Sequence, residues 1–585
     1  MTRLLKLVAV IAVVAAVAVL FRAWWQRETV QSRDVTPIVA TLRTEPESFN
    51  RLVTASSAVD VITNLIHAPL VKVDRQTGAL MPWLAERWEQ VDAGIEAGPE
   101  ADAEAKASAY QPAYRLHLRP GLRFSDGTPF TSADVVFTFR ALYDERVNSA
   151  LASGLRVDGL PLTVTAENDL TVRVEFPAPY GPGLAMLDPL PILPRHRLEQ
   201  ALAEGRLAEA WAASAPPESI VGLGPFVVSE VRAGESMTFA RNPHYFRRDD
   251  QGALPRIDRL IVRVVPDQSA EMVQLESGAA DLVTSGLRAE DIAAFQTLEQ
   301  QGRVRLHRVG IGLDPNALWF NLKAGAPPSI DRPWLQRREL RQAISRAVNR
   351  QRMIDTVFLG EAEPVITPVT PGHGAWHAAD VRPPAHNLAE AGRLLAALGL
   401  EDRNGDGIRE DANGREARIA ILTQRGHTIR ERMTSVIQED LRRAGIAVDV
   451  VPLEVGALIA RIGSGDYDAV LFGLQSSAAD PALNLDFWLP RGAFHFWNPA
   501  QPAPATEWEA ALASLMDRVA RLSDQQERYS AFHRVQRLFA QELPAIYFAA
   551  PRVVFATSAR IEGIKPAVTM PHVLWMPDTL LVAGR

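Results

Sequence analysis

At 585 residues the chain exceeds what one hydrophobic core organises, so about two or three packed lobes are expected. Hydrophobic content of 47% and charged content of 22% exclude a disordered chain and a polytopic membrane protein. The formal charge is −7, and 57 of the 62 basic residues are Arg, a bias in composition with no basic patch to suggest nucleic acid as a partner. Cysteine is absent, which excludes disulfides, Cys-ligated zinc, iron–sulfur clusters, thiol catalysis and an acylated N-terminal cysteine as anchor.

Arg3 and Lys6 precede an unbroken apolar run from Leu7 to Phe21, followed by Arg22, Trp24 and Trp25. Positive charge before such a run is an export pattern, with Ala16-Val17-Ala18 as a small-residue cleavage site. The run spans about 22 Å as a helix, short of the ~30 Å hydrocarbon core. Extending it over residues 4–25 spans the membrane, with Lys6 and Arg22 snorkelling and the tryptophans at the interface. Residues 1–35 are therefore either an uncleaved anchor in the inner membrane or a cleaved signal. In both cases the rest of the chain lies outside the cytoplasm, in the periplasm.

Further along, strand patterns occur at Pro37–Leu42, Tyr114–Leu118, Leu170–Phe176, Phe226–Val231, Ile257–Val265, Ala317–Leu322, Ala417–Leu422, Ala447–Pro452 and Ala469–Leu474. Helical periods at Arg338–Val348, Leu388–Leu398, Thr428–Ala444 and Gln525–Gln541 alternate with the later ones, which argues for α/β lobes. One acidic, Ala/Gly/Pro-rich stretch, residues 92–113, reads as an exposed hairpin extension without a core of its own.

Catalytic patterns are missing: there is no G-x-S-x-G elbow, H-E-x-x-H pair, Walker loop or S-x-x-K, and no enzyme is expected. His373 and His377 have metal-ligand spacing but sit in the loop composition Pro371-Gly-His-Gly-Ala-Trp-His377. Asp402-Arg-Asn-Gly-Asp-Gly-Ile408 begins like an EF-hand loop, but Asn413 stands at the twelfth position, where a bidentate Glu belongs. An Asx/Gly-rich turn accounts for this segment, so no metal and no cofactor are expected.

Several ordered segments together resemble one family. They are Glu45-Pro-Glu-Ser-Phe-Asn50, Leu80-Met-Pro-Trp-Leu-Ala-Glu-Arg-Trp88, and Leu118-Arg-Pro-Gly-Leu-Arg-Phe-Ser-Asp-Gly-Thr-Pro-Phe-Thr-Ser-Ala-Asp-Val135. Val221-Gly-Leu-Gly-Pro-Phe226, Arg241-Asn-Pro-His-Tyr245, Leu275-Glu-Ser-Gly-Ala-Ala-Asp281, Phe320-Asn-Leu322 and Ala343-Ile-Ser-Arg-Ala-Val-Asn-Arg350 follow. Tyr467-Asp-Ala-Val-Leu-Phe-Gly-Leu474 and Asp480-Pro481 close the set. In this order they resemble the extracytoplasmic solute-binding proteins of the oligopeptide/dipeptide/nickel class, family 5, which serve ABC importers.

The resemblance implies an α/β fold of the type II periplasmic-binding kind, with two lobes, a hinge and an inserted subdomain in the first lobe. It implies a first lobe of residues 36–68, 216–310 and 544–585, an insert of 69–215 and a second lobe of 311–543. Hinge crossings are implied near Arg305–Asn316 and Leu543–Tyr547. A monomer that captures a peptide or peptide-like small molecule and delivers it to ABC permease subunits is the implied function. The alternative is a membrane-tethered sensor or scaffold, or a receptor for a non-peptide solute on the same fold. The implied ligand site draws on Thr54, Ala55, Ser56 and Ser57, on Gly222, Gly224 and Phe226, on Trp376, and on Leu474, Gln475, Ser476, Ser477 and Asp480. One departure stands out: peptide-binding members carry an aromatic residue and, three places on, an Asp for the ligand's α-amino group, where this chain has Leu474 and Ser477.

Overall fold

The computed structural model describes residues 37–54, 56–92, 112–326, 332–474 and 480–583. The first sheet runs in the order Phe226–Arg232, Ser236–Arg241, Arg259–Val264, Ile38–Leu42, Leu282–Val283, Ala549–Ser558, Val304–Ile311, with Ala362–Pro364 added alongside Ala549–Ser558. Its centre is Ile38–Leu42, parallel to both neighbours and buried at every residue, as a strand covered on both faces must be; its one polar side chain, Thr41, donates its hydroxyl hydrogen to Glu271.

The helix Ser57–Ile66 lays its apolar face, with Val61, Ile62, Leu65 and Ile66, into the first core. Gly222 and Gly224 cross its C-terminal end. A Cβ on Gly222 would fall 1.9 Å from the Ile66 carbonyl oxygen, and one on Gly224 2.4 Å from the Ile66 carbonyl carbon, so this crossing admits only glycine.

An antiparallel sheet ordered Ala85–Asp92, Pro112–Leu118, Thr171–Glu175, Thr163–Asn168 carries the helix Ser132–Tyr143 against it, and its apolar residues merge into the first core. Val91 pairs with Ala113 and Asp92 with Pro112, so residues 93–111, which lie outside the described residues, connect two paired strands.

The second sheet has the order Ala447–Leu453, Arg418–Gln424, Ala469–Phe472, Ala317–Phe320, Ala545–Tyr547. Its first three strands are parallel, joined by the crossover helices Thr428–Arg443 and Val455–Ser464. The helices Glu507–Arg521 and Gln525–Glu542 pack on it around Trp319, Trp497 and Phe539.

The chain changes sheets twice. Val304–Ile311 belongs to the first sheet and Ala317–Phe320 to the second; Ala545–Tyr547 belongs to the second and Ala549–Ser558 to the first. The chain passes back between Tyr547 and Ala549, since residues 545–547 pair with residues 317–319. Arg350 braces it: the buried guanidinium donates to the carbonyls of Tyr547, at 3.2 Å, and Val365, at 3.3 Å, and lies over the Phe548 ring.

The insert also touches the second lobe. Tyr180 donates its hydroxyl hydrogen to the Ala482 carbonyl at 2.9 Å, the Gly181 amide donates to the Ala520 carbonyl, and Arg521 pairs with Asp158 at 3.2 Å.

Candidate functional site

A pocket opens where the chain passes between sheets. Leu313 and Asp314 from the first crossing and Tyr547 from the second line it. Leu474 just after the strand Ala469–Phe472, His373 from the turn Pro371–Trp376 and Trp488 also line it. The carboxyl ends of strands in an α/β sheet leave such crevices, because the helices turn away there. Asp314 is the carboxylate of this lining. Burial, with the Asp314 charge beside it, holds the Tyr547 phenol protonated well above its usual range. His373 is a neutral group: burial pulls it down to about 4, and its Nδ1 accepts the Thr370 amide at 3.1 Å.

Beside the pocket stands a buried cation. Arg430 sits in the first turn of the helix Thr428–Arg443, with its guanidinium 4.2 Å over the Phe472 ring. It donates to Asn316 Oδ1 at 2.8 Å, Gln424 Oε1 at 2.5 Å and the Gly473 carbonyl at 3.4 Å. All of these partners are neutral. Burial pulls the group down to about 10, and it remains charged at neutral pH.

Behind the pocket is a second buried arginine with a different role. Arg528 donates to Asp480 Oδ1 at 2.7 Å and to the Val519 carbonyl at 2.9 Å, and covers the Trp376 ring. Trp376 in turn meets Tyr529 and Phe532 edge-on. Burial pushes the Asp480 carboxyl up, against the pull of Arg528.

The expected site residues thus fall in different places. Leu474 lines the pocket. Trp376 is buried under Arg528 and presents no open aromatic wall, and Asp480 is engaged by Arg528 and caps the turn Pro481–Asn484 through the Ala482 amide. Gly222 and Gly224 pack on the helix end, and Phe226 is a core residue, 1% exposed. The Thr54 carbonyl accepts from Arg51, Ser56 caps the helix and donates to Glu47 Oε2 at 2.9 Å, and Ser57 opens the helix. Ala55, Gln475, Ser476 and Ser477 lie outside the described residues.

Sequence reasoning missed Arg430, Arg528 and Asp314. An arginine inside an amphipathic helix reads as a solvated face, and only the tertiary fold reveals that these two are buried.

Two lobes joined by two crossings, with a pocket at the crossings, define a binding protein that closes on its ligand. The profile of the bacterial extracellular solute-binding proteins, family 5 Middle, matches residues 79–495. The oligopeptide-binding protein AppA of Bacillus subtilis is 24% identical over 534 residues, covering 89% of this chain and 87% of its own. The dipeptide-binding protein of Pseudomonas aeruginosa is 25% identical over 532 residues, covering 88% and 89%. Among solved structures, Bacillus subtilis AppA in complex with a nonapeptide superposes with a TM-score of 0.68 at 23% identity, covering 94% of this chain and 99% of that one. NikA of Brucella suis in complex with Fe(III)-EDTA gives 0.73 at 21% identity, covering 93% and 99%. The chain belongs to the family 5 extracellular solute-binding proteins, and its fold is the type II periplasmic-binding fold. Both of these relatives are named for peptide binding.

Proposed function

We propose that this protein captures a peptide or peptide-like solute between its two lobes and delivers it to the permease subunits of an ABC importer. The observation that carries the reading is the pocket at the two crossings, where a ligand touching Asp314 and Tyr547 meets both connections between the sheets. The names of the Bacillus and Pseudomonas relatives support the peptide class. In this reading the first lobe is 36–68, 216–310 and 544–585, the insert is 69–215, and the second lobe is 311–543.

A second reading, a receptor for a non-peptide solute, draws on Leu474 and Ser477 at the aromatic and Asp positions of peptide-binding members. Native mass spectrometry of protein purified from its own cell envelope decides between them. A retained peptide supports the first reading, a retained non-peptide solute the second, and steady conversion of a bound solute overturns both. Residues 4–25 hold the receptor at the inner membrane as an uncleaved anchor. N-terminal sequencing of the same preparation tests this, and a start near Val19 overturns it.

A further inference from the structure

The connection between the helix Leu388–Ala397 and the strand Arg418–Gln424 shares no residue with the pocket. It brings one carboxylate oxygen each of Asp402, Asp406 and Glu410 within 4.8 Å of one another. Asp402 and Asp406 are exposed, and each has its oxygens arranged by the loop: Asp402 accepts the Gly405 and Gly407 amides, and Asp406 accepts the Ile408 amide.

Glu410 is different. It is only 4% exposed, and its backbone is pinned by bridges to Glu401 and Glu416. Its Oε2 accepts the Arg403 amide at 2.8 Å, whereas its Oε1 is buried with no hydrogen-bond partner. A buried carboxylate oxygen without a donor is unfavourable unless a cation meets it. Two nearby arginines are directed elsewhere: Arg409 donates to the carbonyls of Ala444 and Leu400, and Arg403 pairs with Glu401.

We propose that this loop binds one calcium ion, with Asp402, Asp406 and Glu410 as its carboxylate ligands. The donors are all oxygen, which selects a hard cation over zinc or copper. Oxygens within 4.8 Å of one another are within the reach of one ion with Ca–O bonds of about 2.4 Å. Comparison with a twelve-residue loop hides the site, because Asn413 then occupies the closing position. In the fold the chain returns sooner, and Glu410, the ninth residue counted from Asp402, supplies the buried carboxylate. The ion ties the helix end to the strand that follows and so stiffens the second lobe.

The test is calorimetric titration of the full-length chain, freed of divalent ions with a chelator, with calcium chloride, alongside its thermal unfolding. Expected are one ion per chain, a raised Tm with calcium, and at least tenfold weaker calcium binding in Asp406→Asn and Glu410→Gln. Absence of both heat and Tm shift at millimolar calcium overturns the proposal, as does wild-type affinity in either variant. Asp406 is exposed, so Asp406→Asn reports on the site even where Glu410→Gln fails to fold.

Discussion

Arg528 Nη2 lies 2.7 Å from Asp480 Oδ1, and this buried pair holds the turn that follows Leu474 against the helix Gln525–Glu542. The two residues divide the electrostatic work unequally. Burial pushes the Asp480 carboxyl up towards its neutral form, while the guanidinium beside it pulls the other way. Gly181 of the insert approaches the same arginine so closely that a Cβ there would fall 2.5 Å from its Nε. The pair therefore underlies both the back of the pocket and the contact between insert and second lobe.

Asp480→Asn keeps an oxygen to cap the Ala482 amide but removes the counter-charge. The guanidinium is then buried without an ionic partner, and a loss of about 3–5 kcal/mol is expected. The double variant Asp480→Asn with Arg528→Met recovers part of that loss, since replacing a whole buried pair is often nearly neutral. Urea denaturation of the three proteins measures the difference. Equal stability of the two variants would refute the charge argument.

Gly222→Ala drives a methyl group into the Ile66 carbonyl oxygen, at 1.9 Å, and neither backbone can yield without shifting the helix Ser57–Ile66. A destabilisation of about 1–3 kcal/mol or more is expected. Gly463→Ala, in a helix with open space around the site, is expected to be neutral or stabilising by up to about 1 kcal/mol. Thermal unfolding of both variants checks the contrast.

That glycine pair shows what a sequence reveals and what it withholds. The tight loop before Phe226 was legible as two glycines one residue apart, but the helix end that demands them lies about 160 residues earlier and leaves no local trace. Strand cores such as Ile38–Leu42 and helices such as Thr428–Arg443 were legible because burial imposes a period on the residues themselves. Ion pairs impose none. Asp480 and Arg528 are 48 positions apart, and the carboxylate could be assigned only to a turn or to a ligand until its partner was seen. At the pocket, Leu474 belongs to a recognisable motif, whereas Asp314 at the crossing and Arg430 beside the pocket, at a helix N-terminus, carry no signature.

His67 gives a pH dependence with a definite sign. Its Nε2 faces the Phe49 carbonyl at 3.4 Å, and its Nδ1 is buried without a partner, so a second proton would have no acceptor. Burial pulls its pKa down to about 4, below the ordinary 6.5. The unfolded chain then binds the proton more readily, so this group's contribution is fully present above pH 6.5 and is lost as pH falls towards 4. The slope is about 1.4 kcal/mol per pH unit, or about 2 kcal/mol between pH 6.5 and 5. Wild type should lose that much more than His67→Gln in denaturant titrations at the two pH values; parallel losses would assign the acid sensitivity elsewhere.

Tyr180→Phe removes the hydroxyl that donates to the Ala482 carbonyl across the two lobes, while keeping the ring against Phe176. A neutral hydrogen bond of this kind contributes about 0.5–1.5 kcal/mol, so the closed form should lose up to about tenfold in population. Small-angle scattering of the liganded variant should show a larger radius than wild type. An unchanged radius together with unchanged affinity would mean that the contact does not help closure.

The last expectation concerns the solute's amino end. Ser477 stands three residues before Asp480-Pro481, where peptide-binding relatives are expected to carry the carboxylate that pairs with an α-amino group. Asp480 does not replace it, because its Oδ1 is held by Arg528 and the Ala482 amide. Wild type should therefore bind ordinary di- to pentapeptides weakly. Ser477→Asp should tighten binding of those with a free amine by about 1–3 kcal/mol, or roughly tenfold or more, through the added counter-charge. N-acetylated peptides should gain nothing, since they bring no ammonium. Calorimetric titration of both proteins with a matched free and acetylated pair checks this. Tight wild-type binding of the free peptide, abolished by acetylation, would show that another carboxylate holds the amine, and Asp314 in the pocket wall is then the residue to replace with Asn.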